Sequence, residues 1–100
     1  MLAFLVPHLA EIRRIFREHK VVKAYVFGSV CTDSFGEESD VDFIVVFEKR
    51  FFDGYVDNFF SLERQLKQVL KRNIDLVAEE TIQNPYFIKV VNQTKQLIYE

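Results

Sequence analysis

Three carboxylates stand where a small folded chain has little structural use for them. Asp40 opens and Asp42 interrupts a run of strand-forming residues that continues to Phe47, and Asp75 interrupts a second such run, Ile74-Asp75-Leu76-Val77. Aspartate is depleted in strands and is almost never buried without a partner. Residues two apart on a strand project from the same face, so Asp40 and Asp42 would stand roughly 6–7 Å apart at the backbone. At that spacing both side chains can lean onto one hard cation or bridge two. With Asp75 on the same sheet face, the three would repel one another unless positive charge sat among them. Mg²⁺ supplies such charge, taking one or two carboxylates and filling its octahedron with water and phosphate oxygens. Alone, Asp40 reads as a turn residue, and Asp42 and Asp75 as solvent-facing strand positions. The conjunction is what points to chemistry.

Gly28-Ser29 adds the complementary half. A strand that ends in Gly-Ser and passes into a short helical turn directs backbone N–H groups and a hydroxyl at an anion, and glycine permits close approach. No Gly-Lys-Ser/Thr follows, which excludes a Walker phosphate loop. By itself Gly-Ser marks an ordinary turn. Upstream of Ser39-Asp40-Val41-Asp42 it becomes half of a phosphate-and-cation site.

The surrounding patterns supply elements to position these groups. After Pro7, Leu9, Ile12, Phe16 and His19 recur with helical spacing, while Arg13, Arg17 and Lys20 lie opposite as a solvated face. Val21 to Phe27 reads as a strand, and Val41 to Phe47 as a second whose Val41, Phe43, Val45 and Phe47 share one face. Lys49 to Tyr55 reads as a loop. Asp57 is placed to cap a helix through Phe59, Leu62, Leu66 and Val69 that ends at Lys71-Arg72-Asn73. Ile74 to Ala78 is a third strand. Asn84-Pro85 opens a helix to about Gln93, and Gln96 to Tyr99 forms a last short strand. The expected order is α-β-β-α-β-α-β in a single domain spanning residues 1–100, of the α+β class: a small mixed sheet with helices on one face.

Composition narrows the setting. The 100 residues are 49% hydrophobic and 28% charged with three Gly and two Pro, which excludes a disordered chain. Thirteen basic against fifteen acidic side chains give a net charge of -2, the wrong balance for a protein that lives on a nucleic-acid backbone. One cysteine excludes an intramolecular disulfide and points to a reducing, cytoplasmic setting. Cys31 itself reads as a small apolar filler, and His8 and His19 as surface or core-edge residues rather than ligands. No run approaches the ~20 apolar residues of a membrane span. The chain has eleven Phe, four Tyr and no Trp, with Phe51, Phe52, Tyr55, Phe59 and Phe60 close together. Most should be core, and any exposed remainder would form a partner surface.

Val26-Phe27-Gly28-Ser29, nine intervening residues, and Ser39-Asp40-Val41-Asp42-Phe43-Ile44-Val45 resemble the signature of the polymerase-β-like nucleotidyltransferase superfamily. The short chain is similar to its minimal nucleotidyltransferase branch, the antitoxin-type partners of HEPN-domain toxins. The resemblance implies that Gly28, Ser29 and Ser39 lie at the nucleotide, that Asp40 and Asp42 hold two Mg²⁺ ions, and that Asp75 completes the second site and helps deprotonate the acceptor. It implies transfer of AMP from ATP to a hydroxyl, with a tyrosine of a HEPN toxin as acceptor and homo- or hetero-oligomeric assembly. One departure stands out: many members carry Arg-Gly shortly after Gly-Ser, where this chain has Thr32-Asp33. Two other readings remain open. The chain could be a binding antitoxin that inhibits by contact through the Phe51–Phe60 segment, or a homodimeric transferase acting on a small molecule.

Overall fold

The computed structural model describes residues 2–31, 36, 39–49 and 52–100, with backbone only for Leu2, Ser29 and Val30. Two short 3₁₀ turns, Leu2–Phe4 and Val6–His8, lead into α1 (Leu9–Glu18). Then come β1 (Val21–Phe27), a 3₁₀ turn (Gly28–Cys31), β2 (Val41–Phe47), α2 (Tyr55–Leu70) and β3 (Ile74–Ala78). A 3₁₀ turn (Glu79–Thr81), α3 (Pro85–Thr94) and β4 (Gln96–Tyr99) complete the order. The strands and the helix-opening Asn84-Pro85 pair fall where side-chain periodicity places them. Asn84 Oδ1 accepts from the Tyr86 and Phe87 amides, satisfying two N–H groups that the first helical turn leaves without a partner.

The sheet runs β3-β2-β1-β4, with β2 and β3 parallel and the other neighbours antiparallel. Strand alternation divides the apolar residues between its two faces. Val41, Phe43, Val45 and Phe47 of β2 meet Ile12, Ile15 and Phe16 of α1 and Leu62, Leu66 and Leu70 of α2 in the main core. Ile44, Phe27 and Val91 form a smaller cluster on the other face, joined by Tyr25, Val77 and Phe87. The expectation of helices on one face therefore holds for α1 and α2 only. The third helix carries its own apolar stripe, Phe87 and Val91, which finds cover against the reverse of the sheet.

Two boundaries also shift. Asp57 does not cap α2: the helix starts at Tyr55, after Gly54 with φ 78°, and Asp57 lies in its first turn. Gly54 can take that left-handed backbone. Tyr55 is drawn in by its packing on Phe47 and Phe52, with ring centroids 5.3 Å apart in both pairs. Asp40, in turn, immediately precedes β2 instead of beginning it; ladder pairing starts at Val41 opposite Ile74. His19 is buried between α1 and α2, where Nδ1–H donates to Ile15 O (2.7 Å) and Nε2 lies 3.0 Å from Ser61 Oγ. It is a satisfied core histidine. Among the described residues no helix is long and apolar enough to cross a membrane.

Candidate active site

Strand register brings the carboxylates together. Asp42 pairs with Asp75 across the parallel β2–β3 ladder and with Phe27 across the antiparallel β1–β2 ladder. The last residue of β1 is thus level with Asp42, and the next, Gly28, turns over it. Gly28 has φ 74°, and a Cβ built there would collide with Asp42 Oδ2. Both the backbone angle and the close approach require glycine. The Gly28 N–H donates to Thr94 Oγ1 (3.3 Å), tying the end of α3 to this turn.

Asp42 lies half-buried in an interior strand, whereas Asp75 on the edge strand β3 and Asp40 are exposed. The Asp42 carboxyl is pushed up to about 6, chiefly by burial, then by the negative charge of Asp75 and of Asp40. The negative charges of Asp75 and Asp40 both bear on the Asp42 carboxyl, and a nearby cation would relieve them. The donor set is made only of hard carboxylate oxygens, which suits Mg²⁺. Among the described residues no three His, Cys, Asp or Glu side chains form a ready-made metal cage. Asp40 and Asp75 are instead exposed to solvent. That also fits Mg²⁺, which keeps waters and substrate oxygens in its shell.

The remaining residues singled out from sequence have different fates. Ser29 lies in the 3₁₀ turn after β1, with its side chain outside the described residues. Thr32 and Asp33 also lie outside the described residues. Ser39 folds the loop before Asp40: its Oγ accepts from the Gly36 N–H (3.0 Å), and its own N–H donates to Gly36 O (3.2 Å). Cys31 is a free, half-buried thiol whose Sγ lies 3.7 Å from Val26 O. Burial pushes its pKa up, making it a poor nucleophile.

Sequence reasoning missed two contributors. Thr94 follows an ordinary helical pattern, and only the placement of α3 on the carboxylate face brings it to Gly28. Arg72 sat among helix-ending residues, yet its Nη1 donates to Gly36 O (2.7 Å) and Ser39 O (2.8 Å). Neither residue has a local signature, because each acts on backbone distant in sequence.

The chain is similar in sequence and in fold to known proteins. Residues 10–100 match the family model described as Polymerase beta, Nucleotidyltransferase. A candidate protein adenylyltransferase of Methanocaldococcus jannaschii is 31% identical over 99 residues, an alignment covering 91% of this chain and 96% of that one. A solved candidate minimal nucleotidyltransferase superposes with TM-score 0.77 at 25% identity, covering 95% of this chain and 93% of its own. A chain from the complex of a tri-AMPylated Shewanella oneidensis HEPN toxin with MNT antitoxin gives 0.65 at 18% identity, with 91% and 68% covered, and so shares the fold. The turn over Asp42, the carboxylates paired across β2 and β3, and a family match spanning nine-tenths of the residues lead to one conclusion: this chain belongs to the polymerase-β nucleotidyltransferase family.

Proposed function

We propose that the protein is a Mg²⁺-dependent adenylyltransferase that moves AMP from ATP to a hydroxyl of a partner protein. The acceptor we favour is a tyrosine of a HEPN toxin that this chain neutralises in the cytoplasm as an antitoxin. The observation that carries the reading is the Asp42–Asp75 register under the Gly28 turn. The adenylyl donor and the HEPN partner are supported by what the similar proteins are described as doing.

In this reading the Gly28–Cys31 turn receives the triphosphate through its backbone N–H groups. Asp40 and Asp42 would hold Mg²⁺, with Asp75 completing the set. Bound Mg²⁺ would neutralise the triphosphate and acidify the acceptor hydroxyl. Asp75, exposed on the edge strand, can be reached by an incoming side chain and would help take the hydroxyl proton. The acceptor oxygen forms a bond to the α-phosphorus, the bond from that phosphorus to the bridging oxygen breaks, and pyrophosphate leaves. Intact mass of the HEPN partner after incubation with this chain and MgATP tests the reading. Gain of AMP units, absent with Asp42→Asn, is expected; an unchanged partner mass beside a folded wild-type chain overturns it.

A second reading, inhibition by contact, is favoured by one surface. Val56 (62% exposed) and Phe60 (56%) border a groove of about 460 Å³ between the first half of α2 and β3. Tyr55, Phe59 and Leu76 line it. Phe52, Tyr55 and Phe59 pack on the core, so Phe60 is what the aromatic segment leaves over among the described residues. Phe51 lies outside those residues. Beside Tyr55, Glu80 Oε1 is buried and has no hydrogen-bond partner among the described residues. Neutralisation by Asp42→Asn at equal expression would favour this reading over transfer.

A further inference from the structure

Among the described residues, the chain just before Asp40 is held by the Arg72 side chain. Arg72 follows Lys71, whose left-handed φ of 55° ends α2 and turns the chain toward β3. From there Arg72 Nη1 donates to Gly36 O (2.7 Å) and to Ser39 O (2.8 Å). Gly36 and Ser39 are also tied to each other, by the Ser39 N–H to Gly36 O and by the Gly36 N–H to Ser39 Oγ. The guanidinium also lies 4.7 Å from the Phe4 ring centroid, so its plane is held from the far side. The next residue, Asn73, accepts the Val41 N–H through its carbonyl (3.1 Å). The α2–β3 connection therefore grips the chain on both sides of Asp40, at Ser39 and at Val41.

We infer that Arg72 is a positioning residue for Asp40: it holds Ser39 beside Gly36 so that the exposed Asp40 carboxylate faces the same point as Asp42. Charge-assisted donors hold a carbonyl more firmly than neutral ones. Asp40 lies outside the β2 ladder, so the strand alone does not fix it. Among the described residues the hydrogen bonds that immobilise its N-terminal neighbour Ser39 are those to Gly36 and Arg72. Removing a group that orients a ligand typically costs about 10–100-fold in metal affinity.

The inference rests on the proposed role of Asp40 as a cation ligand, and the test separates the two. Calorimetry would measure MgATP binding, without acceptor, to wild type, Arg72→Met, Asp40→Asn and the double variant, with thermal midpoints recorded for each. Arg72→Met is expected to weaken binding about 10-fold. The double variant should bind no more weakly than Asp40→Asn alone, because Arg72 acts through that carboxylate. Arg72→Lys, which keeps a charged donor on a long side chain, should recover part of the loss. Losses that multiply in the double variant, or wild-type binding by Arg72→Met, would overturn the role of Arg72 while leaving the site reading in place. Absence of MgATP binding by folded wild type would overturn both. If Arg72→Met does not fold, Arg72→Gln carries the same cycle and the same outcomes.

Discussion

Replacing Asp42 by Asn should make the cation-free protein more stable while removing its chemistry. The folded Asp42 carboxyl is raised from an ordinary 3.8 to about 6, first by burial and then by Asp75 and Asp40. A raised carboxyl stabilises the fold only while protonated; its contribution is full below about pH 4 and is lost as pH rises through about 6. At about 1.4 kcal/mol per pKa unit the whole rise is worth about 3 kcal/mol. Asp42 is only half-buried, and solvent screening brings that to about 1–2 kcal/mol. For a chain of this size the gain corresponds to about 5–10 °C in Tm. Thermal melts in a chelator at pH 7.5 should therefore place Asp42→Asn above wild type, with the gap closing by about pH 4. Adding MgATP should raise the wild-type midpoint and leave the variant unmoved. A variant less stable than wild type at pH 7.5, or a gap that does not depend on pH, would refute the reasoning, since one uncompensated negative charge requires both the higher stability of the variant and its dependence on pH.

Gly28→Ala should lose transfer by about 100-fold or more, because a new Cβ displaces the Asp42 carboxylate. It should also lose about 1–2 kcal/mol of stability from the left-handed φ of 74°, read by denaturant melts. Phe60→Asp should leave MgATP affinity and Tm within error, yet weaken partner binding about 10-fold or more if the groove beside β3 is the docking face. Calorimetry with the HEPN protein checks this, and undiminished binding would remove the groove from consideration.

What was legible in the sequence was what local periodicity encodes. Alternation in Val41–Phe47 identified β2, and an aspartate on its less apolar side stood out because strands disfavour it. Gly28 was legible as a turn. Its collision with Asp42 was not, because that depends on the register of Phe27 opposite Asp42. The start of α2 was misplaced because Gly54 and the packing of Tyr55 on Phe47 outweigh a side-chain cap at Asp57. The position of α3 on the reverse face was hidden because its apolar stripe matches either side of the sheet equally well. Arg72 and Thr94 were invisible for a related reason: each donates to or accepts from backbone 33 to 66 positions away, and nothing near them in the chain announces it.

The order β3-β2-β1-β4 sets how time and motion are distributed over the site. Asp42 belongs to a strand paired on both sides, so its peptide should exchange hydrogen only when the sheet opens globally. Gly28 and Ser39 lie just beyond the strand ends, in turns held by a few hydrogen bonds, and should open far more often. Amide exchange should therefore divide the pocket into a slow floor and a fast rim. Nucleotide binding should protect the rim and barely change the floor, so the free energy of ordering the site is spent almost wholly on the turns that close over the ligand.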